Sequence, residues 1–446
     1  VRWQKSAPLT VVVQDRAQQE LAVLAVDRPF HKPRKPAVWR TLLTEKDAAW
    51  LNLDRGMPRW LPGGKNFLWT TEAAGAWQLE LRAADGKRIR ALTKPNFGYR
   101  ALLSVDTDGS HVTMLASAEP SEQHVYRLAL DTKAKSQVLT TMAGWHSAKI
   151  AKNGKAWVLN LSPTNAPSRT QVVTNAMTTK SPRMVVRQEA ESPKFPVHPR
   201  FMTVGPRQVR AAVVMPRNAK PGQRFPVIVH VYGGPHYNFV RAAQSRWVLQ
   251  QWLADHGFVV CSFDGRGTPY RGRAWERATR GDLLSAPLAD QAEALKHLGA
   301  IEPAMDLARV GVFGWSFGGT FSAAAVMKLP KVFKAGVSGA PVTDWLDYDT
   351  HYTERYLGLP KQAAKAYRIS SPLGYATQLK RPLMLIHGTA DDNVWFSHSV
   401  KLSKALFDKG LSHTFVPLPG HTHMVRDAKT LERMYERIIG FFRKHL

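Results

Sequence analysis

Ser316 stands in the stretch Gly314-Trp315-Ser316-Phe317-Gly318-Gly319, after the apolar run Val310-Gly311-Val312-Phe313 and before the small-residue run Thr320 to Met327. Apolar strand, Gly-x-Ser-x-Gly turn and helix together form the context of a nucleophile elbow. Such a turn is strained, and its glycines let the helix pack close to the strand. The hydroxyl it exposes can attack a carbonyl carbon, provided that a base takes its proton. In this arrangement the acid and the histidine follow the serine in that order. Leu383 to His387 runs into Gly388-Thr389-Ala390-Asp391-Asp392-Asn393, which puts carboxylates in a loop after a strand. Thr414 to Leu418 runs into Pro419-Gly420-His421-Thr422-His423, which puts imidazoles in the next such loop. Each signal alone is modest, but three members in the right order, each behind a strand, are far more specific. His387, at a strand end, reads as structural. The oxyanion of acyl transfer needs donors. The backbone N–H of Phe317 is one, and Tyr232 in Val231-Tyr232-Gly233-Gly234-Pro235 is the candidate for the other. A tyrosine simply buried at a strand end fits that position as well.

The elements that must hold these residues alternate between strand and helix from about residue 200 onward. Strand-like runs fall at Val209 to Val214, Pro226 to Val231, Val259 to Phe263, Val310 to Phe313, Ala335 to Ser338, Pro382 to His387 and Thr414 to Leu418. Helical spacing falls around Ala243 to His256, Pro287 to Leu298, Ser397 to Lys409 and Ala428 to His445. Wholly apolar strands between helices imply a mostly parallel, doubly wound sheet covered on both faces. This predicts an α/β-hydrolase domain over 191–446.

Residues 1–190 read differently, as short strands and frequent turns. Three polar turns place glycines at 64, 109 and 154, an interval of 45 residues, and a strand-like run follows each. In the first two a second run follows, Trp77 to Leu81 and Val125 to Leu130. A period near 45 with several strands per unit is the pattern of propeller blades. An ordinary antiparallel sandwich is the alternative. With a hairpin over Leu9 to Asp27, the count is about four blades, at the lower limit for closure, so further blades are expected upstream of Val1. Arg28 to Pro36 reads as a loop, and Ala190 to Pro199, with its three prolines, as the connection between domains.

Composition narrows the field. The chain has 446 residues, enough for two domains. A net charge of +28 is spread over both halves, without a Lys/Arg-dense helix or arm, which points to a diffusely basic surface and away from nucleic acid. No apolar run is long enough for a transmembrane helix. The start Val1-Arg2-Trp3-Gln4 lacks both Met and an apolar leader, and reads as a processed chain or a piece of a longer one. One cysteine, Cys261 in an apolar strand, excludes an intrachain disulfide framework and reads as a buried thiol. No metal or cofactor is expected.

Val231 to Pro235, Ser262-Phe263-Asp264-Gly265-Arg266-Gly267, the elbow, Tyr352-Thr353-Glu354-Arg355-Tyr356-Leu357-Gly358-Leu359-Pro360 and His387 to Val394 together resemble the dipeptidyl peptidase IV branch of the prolyl oligopeptidase family of serine peptidases. The match covers essentially all of 200–446, and the N-terminal half looks like the last part of that family's propeller. The resemblance implies Ser316 as nucleophile, Asp391 as the orienting carboxylate and His423 as base, since the family's Pro-Gly-x-x-His spacing falls on His423. It implies Tyr232 and the Phe317 amide as the oxyanion hole. It further implies a pocket for a P1 proline or alanine lined by Val342, Trp345, Tyr348 and Tyr352 with Trp315 nearby, and Asn393 on the P2 carbonyl. An aromatic box suits a flat pyrrolidine ring that offers no donor. Taken without the resemblance, Trp345, Tyr348 and Tyr352 fit a plain aromatic core equally well.

Release of Xaa-Pro or Xaa-Ala dipeptides from peptides is the expected activity, with a homodimer and a periplasmic or secreted location as further expectations from the family. Two departures stand out. The glutamate pair that grips a substrate's free amine in this family, with an assisting arginine, has no place in 1–190, and Phe317 replaces the usual Tyr. A prolyl endopeptidase or acylaminoacyl peptidase of the same family, a generic esterase, and an inactive interacting piece are the competing readings.

Overall fold

The computed structural model describes residues 1–26, 38–131, 136–174 and 183–446. The loop read over Arg28 to Pro36, and Asp27 at the end of the first hairpin, lie outside these. The chain divides into two compact units, one of 1–192 with 241–245 and 270–274, the other of the remaining residues.

In the first unit the polar turns end in strands set at equal intervals, Asn66–Thr71, His111–Ala116 and Ala156–Leu161. Each begins two residues after the repeating glycine, which reverses the chain, with a second Gly before it in the first turn and Asp or Asn in the other two. Asp108 shows how: its carboxylate accepts from the backbone N–H and the hydroxyl of Ser110. Each strand then pairs with the next, Gln78–Ala83, His124–Ala129 and Arg169–Thr174, so the third repeat also has the second run read only in the first two. The result is three successive four-stranded antiparallel meanders, preceded by a three-stranded sheet of Leu9–Gln14, Glu20–Val26 and Trp39–Lys46. This is the all-β, blade-like half of the fold. Its interior is large and apolar: Phe67, Leu68, Leu79, Val112 and Met114 form one cluster, and Val125, Trp157, Leu159 and Val173 another.

The second unit is built on one eight-stranded sheet. Its strands are β1 (Arg200–Val204), β2 (Val209–Val214), β3 (Phe225–Val231), β4 (Val259–Asp264), β5 (Met305–Trp315), β6 (Ala335–Gly339), β7 (Leu383–Gly388) and β8 (Thr414–Leu418). Their order in the sheet is β1-β2-β4-β3-β5-β6-β7-β8. β1 and β2, and β2 and β4, pair antiparallel, and the rest pair parallel. Strands β4, β6 and β7 are buried throughout, as are β3 from Val227 and β5 from Val310 to Gly314, since both faces are covered. Helices α1 (Val248–Asp255) and α6 (Ala428–His445) contribute Leu253, Ile438 and Phe442 to one face. Helices α2 (Ser285–Ile301), α3 (Phe317–Lys328) and α5 (Ser397–Phe407) contribute Leu295, Phe321 and Leu402 to the other.

β1 was not anticipated. Its Arg-Phe-Met-Thr-Val sequence lacks the apolar run of a central strand because it lies at the sheet edge, where one side needs no cover. Cys261 lies in β4, fully buried and unpaired, and burial pushes its thiol pKa well up. Among the described residues no helix is long and apolar enough to cross a membrane, and no cluster of His, Cys, Asp or Glu could hold a metal ion.

Candidate active site

The site begins where β5 ends. Ser316 has φ 60° and ψ −121°, a region that non-glycine residues avoid and that costs on the order of 1–3 kcal/mol. The surrounding chain enforces it. The Ser316 N–H donates to the Gly339 carbonyl at 2.8 Å, and the Thr320 N–H donates to the Ser316 carbonyl at 3.0 Å. Two glycines after the serine permit the close approach. A Cβ on Gly318 would lie 2.2 Å from the Val231 carbonyl oxygen, and one on Gly319 would lie 2.2 Å from that of Gly339. Any side chain there would push α3 off the sheet. Phe317 begins α3, so its N–H has no partner within the helix.

The acid and the imidazole come from the loops after β7 and β8, and those loops are sewn together. The Thr389 N–H donates to Leu418 O and the Ala390 N–H to His421 O, both at 3.0 Å, while the Gly420 N–H donates to Thr389 Oγ1 at 2.8 Å. Asp391 and His423 then meet, with Nδ1 of His423 2.7 Å from Oδ2 of Asp391. The Asp391 side chain is fully buried and fully satisfied. Oδ1 accepts from the backbone N–H groups of Asn393 at 2.9 Å and Val394 at 2.8 Å, and Oδ2 accepts from His423 and from Nε2 of His387 at 3.1 Å. Burial alone would raise its pKa. The hydrogen bonds from His387, His423 and Asn393 outweigh that and hold it well below the usual carboxylate range. An ionised Asp391 fixes His423 with its proton on Nδ1 and its Nε2 lone pair free, the state of a general base.

His387, read as structural from its strand-end position, belongs to the bond network of Asp391. Its Nε2 faces both Asp391 and the Val394 carbonyl, at 2.8 Å, and its Nδ1 lies 2.7 Å from Ser399 Oγ. Two acceptors at Nε2 require a proton there, so His387 steadies the carboxylate that steadies His423. Its partners lie four, seven and twelve residues further on, but only the fold of that loop turns them back onto the ring.

Tyr232 follows β3. Its ring lies 5.8 Å from that of Phe317 and 4.9 Å from that of Tyr237. Burial raises the pKa of its phenol, which therefore stays a donor, and its hydroxyl has no hydrogen-bond partner among the described residues. Beyond it lies an aromatic wall. Trp345 stacks on Tyr352 at 5.8 Å and 13°, and Tyr348 meets both edge-on. The wall is held from behind. The Trp345 indole donates to Ser370 O at 2.8 Å, and Asp349 caps α4 (Thr350–Leu357) through the Tyr352 N–H at 2.7 Å. Val342 is buried beside α3, where its carbonyl accepts from Thr320 Oγ1 at 2.9 Å. Tyr348 donates to Oδ1 of Asn393 at 3.1 Å, which joins the wall to the loop of Asp391.

Trp315 departs from the expectation that it lies with this set. Side chains alternate across a strand, and its indole points the other way. It packs with the cluster of Phe313 and Tyr435 and donates to the His423 carbonyl at 2.8 Å. Its indole ties the end of β5 to the backbone of His423.

Strand order, covering helices and an elbow at the end of β5 define this unit as an α/β-hydrolase. The prolyl oligopeptidase family matches residues 244–446, and the dipeptidyl peptidase IV N-terminal region matches residues 1–168. The chain belongs to the dipeptidyl peptidase IV branch of the prolyl oligopeptidase family. It is 33% identical over 236 residues to dipeptidyl peptidase 8 of Mus musculus and, equally, of Homo sapiens, over 52% of this chain and 26% of each relative. The crystal structure of Porphyromonas gingivalis dipeptidyl peptidase 4 superposes with a TM-score of 0.89 at 26% identity, covering 98% of this chain and 62% of that one. The chain thus spans about a quarter of the length of these curated relatives.

Proposed function

We infer that the chain carries the catalytic centre of a serine exopeptidase that releases Xaa-Pro or Xaa-Ala dipeptides from free peptide N-termini. Ser316 Oγ attacks the scissile carbonyl while His423 Nε2 takes its proton. The oxyanion is held by the Tyr232 hydroxyl and the Phe317 N–H. His423 returns the proton to the departing amine, which leaves an ester on Ser316. Water, deprotonated by the same histidine, then cleaves that ester and restores the serine. Val342, Trp345, Tyr348 and Tyr352 receive the P1 ring. The side-chain amide of Asn393, whose oxygen is engaged by Tyr348, keeps its N–H groups for the P2 carbonyl. In this reading 191–446 is the peptidase domain, 1–190 is part of a propeller, and a homodimer is the expected assembly.

One observation carries the reading: the buried, fully satisfied Asp391 bonded to His423 in a loop tied to the elbow. The aromatic wall and the names of the similar proteins support the choice of proline and of dipeptides. The test compares Gly-Pro-p-nitroanilide bearing a free amine with its N-acylated twin. Preference for the free amine is expected, with both hydrolysis and fluorophosphonate labelling lost in Ser316→Ala. Preference for the blocked substrate points to an endopeptidase or acylaminoacyl peptidase, and absence of Ser316-dependent labelling rules out a serine hydrolase.

A further inference from the structure

One histidine near the site has no part in the scheme above. His236 lies four residues beyond Tyr232 on the same loop, next to Pro235, with φ at 67°, in the left-handed region that is uncommon for non-glycine residues. Its ring rests against two tyrosines of α4, 5.8 Å from Tyr352 and 5.7 Å from Tyr356. Its Nε2 is hydrogen-bonded to the Tyr356 hydroxyl and lies 3.3 Å from Nη1 of Arg355.

Those contacts fix the tautomer. A guanidinium has only donors, so a proton on Nε2 would face N–H against N–H. Nε2 must therefore present its lone pair, and the proton of the neutral ring sits on Nδ1. Desolvation of the ring edge packed against α4 first, then the neighbouring Arg355 and His351, pushes the pKa of His236 down to about 4, so the ring is neutral at ordinary pH. Nδ1 has no partner among the described residues, and the residue is exposed. An N–H donor is thus held in place by its own Nε2 contacts and left unused.

Position indicates what would use it. Tyr348, Tyr352 and Tyr356 form a ladder, with successive ring centroids 5.6 Å and 4.9 Å apart. Asn393 joins it at the Tyr348 end and His236 at the Tyr356 end. If P1 lies on Tyr352 and the P2 carbonyl is at Asn393, the opposite end faces the other side of the scissile bond. We propose that His236 is a specificity-determining residue whose Nδ1–H donates to a main-chain carbonyl of the departing peptide. The inference rests on the dipeptidyl peptidase reading and deepens it, since it makes the enzyme select a peptide leaving group over a small amine.

The experiment compares Gly-Pro-Ala-Ala, whose leaving group carries carbonyls, with Gly-Pro-p-nitroanilide, whose leaving group carries none. Two variants separate donor from brace. In His236→Asn the amide nitrogen falls near the position of Nδ1, and asparagine tolerates positive φ. In His236→Gln the amide falls near Nε2, so the bond to Tyr356 is kept and the donor is lost. The peptide-to-anilide ratio of kcat/KM is expected to fall about ten-fold in His236→Gln and to stay within about two-fold of the parent in His236→Asn. An unchanged ratio in both variants, the reverse pattern, or a parallel fall on both substrates would overturn the proposal in favour of a purely structural histidine. If the parent protein cleaves neither substrate, the dipeptidyl reading fails first and takes this inference with it. If the parent cleaves both and the ratio does not move, this inference alone fails.

Discussion

The two units of this chain use sequence in opposite ways. Residues 59–185 employ one device three times: a polar turn, a strand two residues later, and a hairpin back, with pairing partners close in sequence. The hydrolase unit uses each residue of its site once, and draws Tyr232, Ser316, Asp391 and His423 from the ends of four different strands. In the repeating part, damage to one sheet is expected to stay within it. In the hydrolase part, a residue's effect depends on contacts spanning a hundred positions or more, such as the bond from Trp315 to His423.

Asp391→Asn tests the long-range side of this contrast most severely. An amide cannot hold His423 in the required tautomer, and kcat should fall on the order of 10⁴-fold in steady-state assays. The same variant reports on stability. The folded pKa of Asp391 is depressed, so its contribution is complete above the unfolded value of about 3.9 and is lost as pH falls through the lower folded value. The urea-midpoint difference between parent and variant should therefore be widest near neutral pH and close below about pH 4. A constant difference across that range would mean that the buried network does not depend on the charge.

Trp157→Ala tests the local side. This indole is 1% exposed in its sheet and donates to the Gly154 carbonyl in the turn before it. Its loss should cost about 3–5 kcal/mol. Amide exchange should rise across residues 147–174 while the earlier sheets stay protected. Equal loss of protection over 59–130 would show that the repeats unfold as one unit, and the contrast would fail.

Tyr232→Phe should lower kcat by about 10²–10³-fold with little change in KM, as expected for a donor used mainly in the transition state. A rise in KM alone would make Tyr232 a wall of the pocket. The smallest effect is expected for His421→Ala. His421 shares the loop of His423, but among the described residues its Nε2 meets only Thr430 Oγ1, at 3.3 Å, and activity should stay within about two-fold. A large loss there would mean that the wrong imidazole has been read as base.

Much of this was legible because it rests on signals that chain order carries. Glycines at 64, 109 and 154 announce the repeat, and the apolar runs before Ser316, Asp391 and Asn393's loop, and His423 announce strands of a covered sheet. What stayed hidden depends on direction and on third parties. The apolar run and the glycines locate the elbow, but the side of β5 on which Trp315 emerges follows from strand twist and register. His387 looks like any strand-end histidine until Asp391, Val394 and Ser399 are brought around it. The edge strand β1 has no apolar run to betray it, because half of its surroundings are solvent.

The hydrogen bond from the Trp315 indole to the His423 carbonyl places a clamp between the residue preceding Ser316 and the backbone of the proposed base. With the β7 and β8 loops also stitched to each other, swinging His423 away would break bonds on two sides. Little conformational freedom is left for a substrate to remove on arrival. The activation entropy of acylation should therefore be small, with the ordering cost met when the chain folds and not at each turnover.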